Sequence, residues 1–442
     1  MSDNRFDLLE IGEEKPKVEP NKSVFTNVSS LQVRDNATAT QDANGNWFNA
    51  IGLQSSADHR HVAKIWQDKC IALPTFMDTV KSISETKTDV LMKESDIRLK
   101  DINTLSDGTA ISKSGIRSLI AFSEMPTTMF SYMEEYGYEE ELTKIMNDAL
   151  ARRTSQWTGK GKEERNFRVR LRTDEADEKF VRAIVSERYG VIDNHEVMEI
   201  LSNALPYNID KALASHISHD GDDMFGNILL PDQMKSEPDS DYGVGIAFKN
   251  SEVRNSAFSI EPFIFRAICL NGMIWGRANS EIKVHQRHMG SIDLKELEEK
   301  VQQAIAVALT NGNDMLTLLK ASKSVKVQNP IKTIIQLSKD SQDNMTIEQC
   351  KAWQRGYLES QLEPQGDVHT NSAFGIVNGL TRASQNYSGS VREKMERYAS
   401  YVLAPAIDSD LQAISKRWGQ ISDRAESNIS NKELERYQYV SA

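Results

Sequence analysis

Phe167-Arg168-Val169-Arg170-Leu171-Arg172 alternates strictly between apolar and basic side chains. A period of two separates the sets onto opposite faces, so the stretch predicts a β-strand with Phe167, Val169 and Leu171 on one side and three arginines on the other. Thr173 to Lys179 is a polar turn, and Phe180 to Ile192 continues as a second strand, which makes a hairpin. Asp193 or Asn194 then caps a helix from His195 to Leu205, stopped at Pro206.

Downstream, the strand signal continues. Ala214 to Leu230 holds one or two strands around the turn Asp220-Gly-Asp-Asp223, and Gly243 to Asn250 alternates through Val244, Ile246 and Phe248. Phe258 to Met273 is the most apolar strand, with Asn271-Gly272 as a turn signal near its end. A long helix over Ile292 to Leu319 carries the stripe Leu294, Leu297, Val301, Ile305 and Leu309. From Asn329-Pro330 onward, helical segments are separated by Gly, Pro and Asn breaks.

Upstream, Thr88 to Asp101 reads as two short strands. Three helices follow: one capped by Ser112 or Ser114 that stops before Pro126, then Pro126 to Tyr136 and Glu139 to Arg153. Trp157 to Lys162 reads as a Gly/Lys linker. Residues 1–58 are rich in Asn, Ser, Asp, Glu and Lys and are expected to be disordered, because they bury too little apolar area to offset the entropy of ordering. Phe6-Asp-Leu-Leu9 and Trp47-Phe48 are apolar islands that could dock onto a partner. The fold class is therefore α+β, an antiparallel sheet with helical additions at both ends. Its expected divisions are 1–58, a mostly helical part 59–156, an α+β core 157–322 and a helical region 323–442.

The 442 residues carry a formal charge of −11, which argues against a surface that coats nucleic acid everywhere but leaves room for a local basic groove. The three cysteines, Cys70, Cys269 and Cys350, are far apart and fit neither a disulfide framework nor a zinc spacing. No signal peptide and no run long enough to span a bilayer is evident. The expected setting is the cytoplasm, with no membrane contact.

From Arg152 to Arg172 there are eight basic and two acidic side chains. Arginines on one strand face stand about 6.6 Å apart, close to the phosphate spacing of a nucleic-acid strand. Lys160, Lys162, Arg165, Arg168, Arg170 and Arg172 are the candidate phosphate contacts, with Trp157 as a stacking surface and Arg266 as a further charge. The alternative is a solvated sheet face balanced by the acids of Asp174 to Glu178. His216 and His219 precede Asp220, Asp222 and Asp223, and His285 and His288 are spaced H-x-x-H, but neither set has a third ligand at fixed spacing. No nucleophile elbow, Walker A loop or dinucleotide fingerprint is present. No catalytic residue, metal or cofactor is assigned.

Tyr189, Asn194, Gly245, Ser251, Arg266-x-x-Cys269-x-Asn271-Gly272 and His288 together resemble the DUF932 family of phage and plasmid proteins. Leu119-Ile-Ala-Phe-Ser-Glu-Met-Pro126 is similar to that family's proline-terminated helix, and Asn378-Gly-Leu-Thr-Arg-Ala383 to its NA-x-T-x-x-A region, with Gly379 in place of the usual alanine. Val253 stands where the family often has glycine after Asn250-Ser251-Glu252. The resemblance implies a mobile-element setting. The order of hairpin, helix, strands and long helix also loosely resembles Rad52-like annealing proteins.

The expected function is single-stranded DNA binding, with annealing and self-assembly into a homo-oligomer. The alternative is a protein-binding factor acting on a host or phage protein, with the N-terminal segment as its contact.

Overall fold

The computed structural model describes residues 40–41, 47–48, 70–205, 209–236, 241–266, 271–274, 284–341, 345–361, 371–387, 389–404 and 411–439. Three short strands open it: β1 (Thr40–Gln41), β2 (Trp47–Phe48) and β3 (Ile71–Ala72). Then come β4 (Lys87–Lys93), β5 (Leu99–Asp101), β6 (Thr104–Leu105), β7 (Ala110–Ile111), β8 (Asn166–Thr173) and β9 (Lys179–Ser186). The remaining strands are β10 (Leu213–His219), β11 (Asp223–Leu229), β12 (Lys235–Ser236), β13 (Asp241–Ser251), β14 (Phe258–Arg266), β15 (Asn271–Ile274) and β16 (Val284–Gln286).

They form two sheets. The smaller runs β4-β8-β9-β7-β6-β5, and the larger runs β1-β2-β10-β11-β13-β14-β15, with β3, β12 and β16 on its borders. Pairing is antiparallel except between β7 and β9. The α+β class holds, and the hairpin β8–β9 forms where alternation placed it.

Helices α1 (Leu73–Ser84), α2 (Lys113–Ser123), α3 (Thr127–Glu135), α4 (Glu139–Thr158), α5 (Asn194–Ala204) and α6 (Leu294–Ala321) lie between and after these strands. Ser112 caps α2 by accepting from the Gly115 N–H, and Asp193 caps α5 in a reciprocal box with Glu196. Asp293 accepts from two N–H groups at the start of α6. At 28 residues α6 is about 42 Å long. It packs Leu297, Val301 and Ile305 with Phe76 of α1, Leu201 of α5 and Ile246, Phe248 and Phe258 of the large sheet. Burying each such side chain contributes about 1.5–3 kcal/mol.

The C-terminal helices α7 (Pro330–Asp340), α8 (Ile347–Gln361), α9 (Ala373–Ser384), α10 (Gly389–Leu403) and α11 (Leu411–Asn428) enclose a second core with Trp353, Phe374 and Trp418. The short α12 (Asn431–Tyr437) closes this end. Phe167 and Val169 of β8 pack with α2, α3 and α4 in a third core.

Four expectations need correction. The boundary at residue 157 does not divide the fold, because β4 pairs with β8 across it. The Gly/Lys linker is partly helix, since α4 continues to Thr158. The chain does not turn at Asn271-Gly272: these residues lie inside β15, opposite Arg266 and Phe265, and Cys269 lies outside the described residues. Nor is the whole of 1–58 without structure. Trp47 and Phe48 pair with His219 and Ser218 at the edge of β10, adding backbone hydrogen bonds that composition could not register. Phe6, Leu8 and Leu9 lie outside the described residues.

Candidate nucleic-acid interface and the ion network beneath it

The basic face of β8 looks at the other sheet, not at water. Arg170 is 1% exposed and Arg172 2%. Arg170 donates to Asp89 Oδ1 at 3.1 Å, to Asp193 Oδ1 at 2.5 Å and to the Glu252 carbonyl at 2.9 Å. Arg172 donates to the Asp220 carbonyl at 3.3 Å and lies over Gly221, which has a φ of +91° and where a Cβ would fall 1.9 Å from the guanidinium. Arg168 is half-buried against Asp89. The expectation that Arg168, Arg170 and Arg172 line an open groove is thus corrected. Three guanidinium groups on one strand face need counter-charges, and β4 and the loops of the large sheet supply them.

Glu252 is the centre of this network. It is fully buried, yet its carboxylate accepts from Lys87 Nζ at 2.8 Å, Arg182 Nη1 at 2.5 Å and the Asn194 N–H at 2.7 Å. Burial alone would push its carboxyl up. Lys87, Arg182 and Arg170 overcome this and hold it well below the ordinary carboxylate range. The N-terminus of α5 adds its partial positive charge. Arg182 reaches the network because β9 carries a bulge: the β8 register passes from Ala183 to Val181 and leaves Arg182 as the extra residue. Asn194 and Asn250 complete the shell, with Asn250 Nδ2 donating to Asn194 Oδ1 at 2.9 Å.

Above the network three loops meet. Tyr189 follows β9, Ser251 ends β13 and His288 follows β16. The Tyr189 hydroxyl donates to the Ser251 carbonyl at 3.2 Å, and its ring stacks on His288 with centroids 5.1 Å apart. His288 Nδ1 lies 3.0 Å from the Gly190 carbonyl, and the Gly290 N–H donates to the Arg188 carbonyl at 3.0 Å. Each loop presents an exposed arginine: Arg188, Arg254 and Arg287. Among the described residues no carboxylate pairs with any of the three, and the exposed acids in these loops are Glu187 and the α6 cap Asp293. Arg254 holds a φ of +73°, a conformation that costs a non-glycine residue about 1–2 kcal/mol.

The other expected contacts are scattered. Lys160 and Lys162 are exposed at the end of α4. Lys162 and Arg165 both lie over the Trp157 ring, at 4.0 and 4.5 Å, so the chain's own cations engage that ring; Arg165 also forks onto Glu94. Arg266 is buried where β14 meets α9. It lies 3.3 Å from Asn378 Oδ1, beside a small cavity lined by Phe374, Val377 and Thr381. His219 is buried edge-on to Phe76, and burial holds its imidazole down at about 3. Among the described residues no group of three His, Cys, Asp or Glu could hold a metal ion; the His216 side chain lies outside them.

Lys87, Arg182 and Glu252 were not singled out from the sequence as site residues; Asp193 was read only as a helix cap and Asp222 only beside His216 and His219. They belong to separate segments, and only the bulge, the α5 cap and the β13 end bring them together. The family-pattern residues did mark the place: Asn194 and Ser251 border the network, while Tyr189 and His288 pin the loops over it.

The fold and this junction define an α+β protein of two antiparallel-rich sheets joined by a buried ion network under a loop rim of arginines. The model for the Domain of unknown function (DUF932) matches residues 181–402, half of the chain, and the chain belongs to that family. No curated protein and no solved structure matches it. No helix among the described residues is long and apolar enough to cross a membrane.

Proposed function

We propose that this chain is a phage DNA-metabolism protein that binds single-stranded DNA without sequence preference and brings complementary strands together in the host cytoplasm. The observation that carries the reading is the rim of Arg188, Arg254 and Arg287, three exposed guanidinium groups on loops tied to one another by Tyr189 and His288. Arginine matches phosphate in charge and in its donor fork, and loops pinned at their bases hold such donors at reduced ordering cost. The phage setting rests on the family resemblance. Annealing needs neutralised phosphates and free base edges, which suits a rim of cations. Several copies along one strand would extend the contact, so a homo-oligomer is part of the proposal.

The test is fluorescence anisotropy with a labelled oligo-dT at several salt concentrations. Binding should weaken as salt rises, and Arg188→Ala/Arg254→Ala/Arg287→Ala should lower the magnitude of the log–log slope by about 2, since each lost single-strand phosphate contact removes about 0.7. A triple variant that binds like the parent chain overturns this site. A parent chain that does not bind overturns the function.

A further inference from the structure

We infer that the outer face of α3 and the turn into α4 form a docking site for a basic, arginine-bearing segment of a partner protein. The observation is a patch of exposed aromatic surface. Tyr132, Tyr136 and Tyr138 are 58%, 61% and 48% exposed, and Met129 lies on the same helix one turn before Tyr132. The rings of Tyr132 and Tyr136 lean together with centroids 4.5 Å apart. Tyrosine and methionine are enriched in protein interfaces, where large rigid side chains bury much area at little entropic cost.

The helix beneath is poorly supported by its own chain. α3 fully buries only Phe130. Its N-cap is Pro126, which makes no side-chain cap, and its first turn carries no acid. Glu134 and Glu135 lie at its C-terminal end, where the helix dipole disfavours negative charge. Such a local arrangement lowers stability on its own and is relieved by a cation placed at that end.

Charge decides the occupant. Glu134 and Glu135 end α3, Glu135 one turn after Tyr132, and Glu139, Glu140 and Glu141 follow Tyr138 in the first turn of α4. All five are exposed and none is ion-paired among the described residues. Acids around aromatic rings suit a cation that can pair with the rim and lie over a ring face, which arginine does. The same charge repels nucleic acid, so this surface is separate from the arginine rim.

The probe is a fluorescein-labelled decapeptide with arginine and leucine, compared with the same peptide bearing glutamate for arginine, both titrated with the full chain. The arginine peptide should bind and the glutamate peptide should not. Tyr132→Ala/Tyr136→Ala/Tyr138→Ala keeps every charge and should weaken binding at least about tenfold, a difference of about 1.4 kcal/mol. Neutralising Glu134, Glu135, Glu139, Glu140 and Glu141 to glutamine should remove most of the salt dependence. The Arg188/Arg254/Arg287 triple alanine variant should bind the peptide as the parent does, which keeps this test distinct from that of DNA binding. Unchanged binding by the tyrosine variant would show only the general attraction of an acidic chain and overturn the proposal. So would an absence of peptide binding, or a self-associating parent chain that the tyrosine variant dissociates in sedimentation, since a second copy would then be the occupant.

Discussion

Lys87 Nζ lies 2.8 Å from Glu252 Oε1, an ion pair closed across 165 residues of chain and almost entirely out of water. It joins the edge strand of the small sheet to the end of β13 in the large one. A pair this buried gains from Coulomb attraction only because further donors share the carboxylate. Arg182 and the Asn194 N–H do so. The junction of the sheets is thus ionic at its centre, with separate apolar cores on either side.

Glu252→Gln should destabilise the chain by about 3–5 kcal/mol, because Lys87 would lose its counter-ion in a buried site and Arg182 would keep only Asp222. Chemical denaturation followed by far-ultraviolet dichroism measures this. The same carboxyl makes the fold acid-sensitive. Its folded value is depressed, so its stabilisation is present above the ordinary carboxylate range and is lost as pH falls through and below that range. The Gln variant should show a weaker acid dependence than the parent. A parent and variant with the same denaturation midpoint at neutral pH would contradict the assignment.

Arg170→Ala should lower stability by a similar amount, since the Glu252 carbonyl loses this donor, Asp193 loses its ion pair and Asp89 keeps only Arg168. Any loss of DNA binding in that variant should follow its loss of folded protein. Arg188→Ala should instead leave the melting temperature within about a degree, since exposed unpaired charges contribute little to stability. Thermal melts run beside binding isotherms separate the two outcomes.

Arg254→Gly should weaken DNA binding without lowering the melting temperature. Glycine takes a φ of +73° without the steric cost an arginine meets, which offsets its greater unfolded entropy. A large fall in melting temperature would mean the arginine side chain itself stabilises the loop.

Asp220→Asn should gain stability relative to the parent as pH rises from about 5 to 8. Burial, with Asp223 and Asp222 beside it, pushes the Asp220 carboxyl up to about 8. The folded state therefore holds a proton that the unfolded state releases, and stability from this group declines with rising pH across that window. Asparagine keeps an acceptor for the Asp222 and Asp223 N–H groups. Urea midpoints at the two pH values check the sign.

Gly245→Ala should cost about 2–4 kcal/mol. A Cβ there would lie 2.2 Å from the Ile228 carbonyl oxygen across the β11–β13 pairing, and backbone cannot yield as a side-chain tip can. A soluble variant with an unchanged midpoint would show that the strands separate more easily than their packing implies.

The local rules were legible in the residues themselves. Alternation over Phe167 to Arg172 specified a strand, Asp193 or Asn194 marked the start of α5, and the Leu294 to Leu309 stripe specified α6. These follow from short-range geometry, where a side chain's face is set by its position in a period of two or 3.6. What lies opposite a face is a tertiary matter. The arginines of β8 read as a contact surface because their partners come from β4, the α5 cap and the end of β13, and because a single bulge re-aims Arg182. Arg188, Arg254 and Arg287, which do reach the surface, come from three separate loops, joined by the contacts of Tyr189, His288 and Gly290. Sequence periodicity determined which residues share a side. Only the packing of one sheet against the other decided which side meets water, since burying a cation depends on counter-charges that no local pattern contains.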